Sequence, residues 1–382
     1  MGYFKFLMPE IWLKYGGTHI VLDIKFENLL KHISSNLDLL SNAQVRAKLS
    51  GVVLKENTLI LATDGSISVA RAIEMILDLN RSIDLSKVSI ETFSKYVGTL
   101  RANISNKACS IERIGSEPFD VMIKKFQKIL IISHTKHDPL FGYCGAPTML
   151  LRNFYPDKMT EAFNSRVTNL PAPGIAGPPL EIALSVFSEL RAEVIEVVGN
   201  SYGISAIFHD NIVEAFNSAL GYLSAITETE EISSGSTIIC TSNEEGPHET
   251  LSSSLNSLWN SIHLVKRNGS AVLLAENTQG IGNGALRDCV EGRIELQNCL
   301  GGQTYVEGQE HLLYLRELQL QYDLGIMSTI PQYYLNGKLG LYPYTGSKEI
   351  LNRLMEKHGR NHKILVISDA DNILIKSNAE EN

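Results

Sequence analysis

Two histidines, a lysine and an aspartate crowd into Ser133-His134-Thr135-Lys136-His137-Asp138. The segment follows the apolar run Ile129 to Ile132 and precedes a turn built on Gly142, Gly145 and Pro147. Imidazole moves protons near neutrality, and a carboxylate or ammonium group beside it supplies a base or a positive field. A buried strand that opens into such groups is how α/β proteins build a ligand site at a strand's carboxyl end. The plainer alternative is a polar loop with solvated charges. A metal held by His134 and His137 would need the segment to be helical. Directly after a strand, the two imidazoles are expected to diverge.

Other glycine turns invite motif readings and resist them. Gly280-Ile281-Gly282-Asn283-Gly284 sits between a predicted strand and a predicted helix, but it lacks dinucleotide spacing and a following acidic residue. A tight strand-to-helix connection is the simpler reading. Gly142 to Gly145 lacks the Lys-Ser/Thr of a nucleotide loop. Cys144 reads as a small buried thiol rather than a nucleophile, and His248 as a loop histidine.

These residues need a scaffold, and the apolar pattern supplies one. Thr18 to Ile24, Thr58 to Ala62, Val88 to Phe93 and Lys128 to Ile132 read as strands, with helices starting over Phe26 to Ile33 and over Val69 to Leu79. A Pro/Gly-rich connector at 171–179 leads to a helix from Leu180 to Leu190 and strands at Val194 to Val198 and Ile204 to Phe208. The polar segment Glu228 to Ser236 is taken as the crossing between domains. Alternation then resumes with strands at Thr237 to Thr241, Ala271 to Ala275, Asp323 to Ser328, Leu339 to Tyr342 and Lys363 to Ser368. Helices are expected over Leu251 to Ile262, Ala285 to Leu300 and Ser347 to Lys357. The expected architecture is α/β, with two domains, each a mainly parallel sheet flanked by helices, and a ligand cleft between them. The boundaries are drawn at 1–235 and 236–365, leaving 366–382 as a strand end and tail.

Composition narrows the partners. A chain of 382 residues accommodates two domains, and 44% hydrophobic with 20% charged residues is ordinary for a globular protein. A net charge of −8 leaves no cationic excess for a nucleic-acid backbone. Five cysteines without paired spacing point to a reducing compartment, and the amino terminus is too short and polar-interrupted for a signal peptide. No apolar run reaches spanning length. A cytoplasmic protein with no membrane or nucleic-acid partner is expected; a homo- or hetero-oligomer remains open.

The stretch His137…Phe141-Gly142-Tyr143-Cys144-Gly145-Ala146-Pro147-Thr148 resembles the segment H-x-x-F-x-G-Y-S-G-G-x-K of nickel-dependent lactate racemases. Weaker similarities follow in the same order. Leu13-Lys14-Tyr15-Gly16-Gly17 resembles the lead into the family's amino-terminal strand. Thr63-Asp64-Gly65-Ser66-Ile67 lies where the family has D-x-T-R-P, keeping Asp64 and replacing the arginine with Ile67. Gly98-Thr99-Leu100-Arg101 lies at G-T-H-R, keeping Arg101 and losing the histidine to Leu100. Ser165 stands for the histidine of A-N-H, and Ser253 and Asn256 for the glutamine and lysine of L-Y-Q-x-x-K. Glu276 to Gly282 resembles the E-G-I-G turn, with Gln279 at the glutamate.

For the family, the resemblance implies hydride transfer to a nickel–pyridinium cofactor. A lysine tethers it, a histidine ligates the nickel, and two further histidines act as acid and base. Here the tether position is Thr148, the nickel-ligand position Ser165 and one acid/base position Leu100. None supplies the chemistry required. No tethered cofactor is therefore expected, although a divalent metal stays open. Three readings remain: a divergent isomerase or epimerase acting on a small hydroxy acid or polyol, a non-catalytic binder of a small anion, or a structural or regulatory partner of an active relative. The candidate catalytic residues are His137, His134 and Asp64, and the candidate substrate-binding residues are Arg101, Lys136, Glu276 and Gln279. Arg101 and Lys136 are expected to hold any anion.

Overall fold

The computed structural model describes residues 10–35, 37–106, 108–166, 170–226, 229–230, 237–241, 250–299 and 304–377. His248, the 235/236 boundary and all of the Glu228–Ser236 crossing except Thr229 and Glu230 lie outside them. The chain forms two compact units, one of residues 36–226 with 303–305, the other of residues 1–35, 227–302 and 306–382. Residues 10–35, which the sequence boundary assigns to the amino-terminal domain, thus group with the carboxy-terminal half.

In the first unit, Thr58–Ala62 and Ile129 to Ile132 are runs of buried apolar residues, the pattern of strands covered on both faces. They sit at the centre of a six-stranded sheet ordered Gly203–Asp210, Glu193–Asn200, Lys128–His134, Thr58–Ala62, Ser89–Thr92, Ile111–Arg113. All neighbours are parallel except Glu193–Asn200 with Gly203–Asp210. From Thr58–Ala62 the chain builds outward through Ser89–Thr92 to Ile111–Arg113. It then returns to add Lys128–His134 on the other side. The carboxyl ends of Thr58–Ala62 and Lys128–His134 therefore flank a topological switch point, where open α/β sheets bind ligands. Ile67–Leu79 covers one face. Ser66 caps it by accepting from Val69 N, and Val69, Ile73, Ile76 and Leu77 recur at helical spacing to enter the core.

The second unit has a six-stranded sheet, parallel throughout, ordered Tyr342–Tyr344, Asp323–Met327, Ser270–Leu274, Thr237–Thr241, Ile364–Ile367, Leu29–Ile33. Here the structure corrects the sequence reading. Phe26 to Ile33 is a short 3-10 turn followed by an edge strand, because Leu29 to Ile33 pairs with Ile364–Ile367. So short an apolar run does not separate strand from helix by period alone. Thr18–Asp23 is a strand, but it forms a two-stranded antiparallel ribbon with Glu10–Tyr15. Gly16 turns that ribbon at φ +54°, and a Cβ there would meet Glu276 Oε2 at 1.5 Å. The helix expected over Ala285 to Leu300 ends at Val290, ahead of Gly292 at φ +81°. The strand expected at Leu339 to Tyr342 is displaced to Tyr342–Tyr344 by the helix Gln332–Leu339. Helices Ala146–Phe154, Ile212–Ile226 and Gln309–Leu318 have no counterpart in the sequence reading. No described helix is long and apolar enough to cross a membrane.

Candidate functional site

At the first unit's switch point, Thr63 N donates to Ile132 O at 3.0 Å, which locks the two central strand ends together. Asp64 follows at once and is 7% exposed. Its Oδ1 accepts from Ser66 N at 2.7 Å, while Lys136 Nζ stands 4.0 Å from its Oδ2. Burial pushes the Asp64 carboxyl toward its neutral form. The Lys136 and His134 charges and the Ser66 hydrogen bonds outweigh that and hold its pKa below the ordinary value. His134 and Lys136 are two residues apart, the spacing that puts side chains on one face of an extended chain. Three of the sequence candidates, Asp64, His134 and Lys136, are thus assembled from two strand ends.

The segment after His134 is a short antiparallel hairpin, Lys136–Asp138 with Gly142–Cys144, where His137 pairs with Tyr143. His137 is 2% exposed, and its ring lies 5.6 Å from that of Tyr143. The sequence reading of a turn is right about the glycines: Gly142 has φ +80°, and a Cβ there would strike Ile175 O. Asp138 closes the hairpin. Its Oδ1 accepts from Leu140 N and Phe141 N, both at 2.8 Å, and Arg152 Nη2 reaches its two oxygens at 3.1 and 3.0 Å. Arg152 also donates to Tyr305 OH at 2.9 Å and lies over the Phe141 ring. Cys144 is buried, and burial raises its thiol pKa well above the ordinary range, so it stays protonated.

Sequence reasoning missed Glu196. It reads as one residue of a strand, yet it is fully buried and sits under the turn. Oε1 accepts from Ala146 N at 2.7 Å, at the start of the helix Ala146–Phe154, and Oε2 accepts from Thr135 Oγ1 at 2.8 Å. Burial dominates its titration and lifts its pKa to about 7, against the pull of the Ala146 and Thr135 hydrogen bonds. A charged residue inside the otherwise apolar run Val194 to Val198 (VIEVV) was the signal available.

The remaining candidates stand on other elements of the chain. Arg101, on the helix Val97–Asn103, donates through Nε and Nη2 to Ile111 O at 3.0 and 2.6 Å, on the sheet's edge strand. Glu276 and Gln279 belong to the second unit, after the strand Ser270–Leu274. Glu276 is half-buried and receives Gly17 N at 3.4 Å, and Gln279 is exposed. Among the described residues, no group of three or more His, Cys, Asp or Glu side chains is arranged to hold a metal.

No protein-family profile and no curated protein matches this sequence. Among solved structures, the chain is similar to the lactate racemase apoprotein from Thermoanaerobacterium thermosaccharolyticum. The TM-score is 0.69 at 13% identity, over 96% of this chain and 100% of that one. It is also similar to a protein from Thermotoga maritima, with a TM-score of 0.63 at 10% identity, over 89% of this chain and 99% of that one. At such identities the likeness is one of fold: the chain has the mixed α/β, lactate racemase-like architecture.

Proposed function

We propose that the chain is a divergent isomerase or epimerase, acting on a small hydroxy acid or polyol whose hydroxyl-bearing carbon adjoins a carbonyl. The observation that carries the reading is Asp64, a buried carboxylate held ionised beside Lys136 and His134 at the switch point. Asp64, ionised and placed beside Lys136 and His134, is the base. It takes the proton from the hydroxyl-bearing carbon, and the electron pair moves into the adjoining C–O group. Lys136 and His134 stabilise the enediolate oxygen. Return of the proton to either face or to the neighbouring carbon gives the epimer or the isomer. His137, packed on Tyr143, positions the hairpin that carries Lys136. Fold likeness to a lactate racemase apoprotein supports the substrate class by analogy alone.

The nickel group of the resembled family does not suit these residues. Thr148 is fully buried, accepting from Gly145 N and donating to Gly145 O. Leu100 is fully buried in the hydrophobic core, and Ser165 donates to Ala162 O at 2.8 Å. No step is routed through that group. The same three residues favour the second reading, a non-catalytic binder. Arg101 contributes little to an anion site in either reading, because its guanidinium serves the Ile111 carbonyl.

Proton NMR in D2O separates the two readings. With lactate, glycerate, glyceraldehyde and dihydroxyacetone as the panel, an isomerase washes deuterium into at least one substrate at the hydroxyl-bearing carbon, and Asp64→Asn abolishes it. Binding without exchange across the panel gives the non-catalytic reading. Neither binding nor exchange sinks both.

A further inference from the structure

The second unit has a switch point of its own. From Thr237–Thr241 the chain builds outward through Ser270–Leu274 on one side, and later adds Ile364–Ile367 on the other. The carboxyl ends of these two strands flank the position where parallel sheets take ligands. Ile367 runs directly into Ser368-Asp369-Ala370-Asp371-Asn372. Asp369, Asp371 and Asn372 are 2%, 1% and 9% exposed.

This loop is held from several directions. Ser368 N donates to Ile33 O at 2.8 Å, Asn372 N donates to Asp369 O at 3.0 Å, and Asn372 Nδ2 reaches Asp369 Oδ1 at 2.9 Å. The helix Leu251–Ser261 contributes Asn260, which is 1% exposed. Its Nδ2 donates to the carbonyls of Ala370 and Asp371 at 3.1 and 3.2 Å, which ties the helix to the loop and fixes which end of the amide is its nitrogen. The amide's Oδ1 receives no hydrogen bond from the protein. Neither does Oδ1 of Asn372, nor Oγ of Ser257, one turn earlier on the helix face that carries Asn260. A buried oxygen left without a hydrogen-bond partner is costly to the fold. Here two amide oxygens and one hydroxyl in that state lie on the loop that carries Asp369 and Asp371 and on the helix that Asn260 ties to it.

We propose that Asp369, Asp371, Asn372, Asn260 and Ser257 form a binding site for a hard divalent cation, with Ca2+ preferred. The donors are all oxygens, which suit calcium or magnesium rather than zinc. Magnesium retains several waters, whereas calcium accepts many protein oxygens in irregular geometry, and the near-complete burial favours the second. The site is built from residues of the second unit alone and does not rest on the proposed reaction.

Calorimetric titration of the EDTA-treated full-length protein with CaCl2 and MgCl2 tests this, alongside thermal melts. One Ca2+ per chain is expected to bind and raise the melting temperature, with a weaker response to Mg2+. Asp371→Asn is expected to weaken Ca2+ binding about tenfold or more. Ser257→Ala removes a hydroxyl that holds no protein hydrogen bond, so it should fold as wild type does and still bind Ca2+ severalfold more weakly. Absence of any Ca2+ response in the wild type overturns the site, as does binding that both variants leave unchanged.

Discussion

Lys136 Nζ lies 4.0 Å from Asp64 Oδ2, and the pair joins the ends of the two central strands of the first unit. Burial raises the Asp64 pKa, and the Lys136 charge is the largest of the effects that lower it, ahead of His134 and the Ser66 hydrogen bonds. Replacing it, as in Lys136→Met, leaves the buried carboxylate dependent on His134 and Ser66. Because its folded pKa is depressed, Asp64 stabilises the wild type above its unfolded pKa, and that contribution fades as pH falls through the folded value. Lys136→Met is expected to lower stability by about 1–3 kcal/mol at pH 7 and by less at pH 3. Urea melts at the two pH values check this; an equal loss at both would remove Asp64 from the explanation.

Glu196 has the opposite sign. Its folded pKa, about 7, lies above the ordinary value of 4.5. The folded state therefore holds a proton that the unfolded chain releases, and stability falls as pH rises from the unfolded pKa through the folded one. Gln fits the same contacts, because its carbonyl can accept from Ala146 N while the Thr135 hydroxyl rotates to accept from its amide. Glu196→Gln is expected to stabilise the protein at pH 8 by about 1–3 kcal/mol and to make little difference at pH 5. Melting curves that keep the wild-type pH slope in the variant would contradict this.

Arg101→Ala concerns the edge of the same sheet. The guanidinium's two hydrogen bonds to Ile111 O tie the helix Val97–Asn103 to the outermost strand. The substitution is expected to cost about 1–2 kcal/mol in urea melts. It should leave the affinity for lactate, phosphate or sulfate unchanged. A loss of anion binding would return Arg101 to the site.

How far these relationships were legible follows from what each signal measures. Apolar runs such as Thr58 to Ala62 and Ile129 to Ile132 announce strands buried on both faces, and the polar residues after them mark where those strands end. Asp64, His134 and Lys136 come together because parallel neighbours end at the same rim. Arg101 was placed beside them by similarity of a short motif, which carries no information on where a long side chain turns. Glu196 was hidden because its partners are a backbone amide and a threonine brought to it by strand pairing with Lys128–His134. Leu29 to Ile33 was misread as helix because the strand's justification, Ile364–Ile367, lies at the far end of the chain.

Thr148 offers the last test, because it occupies the position where the resembled family carries its tethering lysine. Here the side chain is fully buried in the first turn of the helix Ala146–Phe154, and its hydroxyl both accepts from Gly145 N and donates to Gly145 O, at 3.0 and 3.1 Å. A lysine there would lose both bonds and bring a positive charge to a helix amino terminus, where the dipole disfavours it. It would also have to bury its ammonium or displace the turn around Gly145. Thr148→Lys is expected to destabilise the protein by about 3 kcal/mol or more, whereas Thr148→Ser, which keeps the hydroxyl, should stay within about 1 kcal/mol of wild type. Thermal and urea melts of the two variants decide the matter. If Thr148→Lys melts like the wild type, the fold retains room for a tethering lysine, and the reading of this chain as working without the nickel group fails.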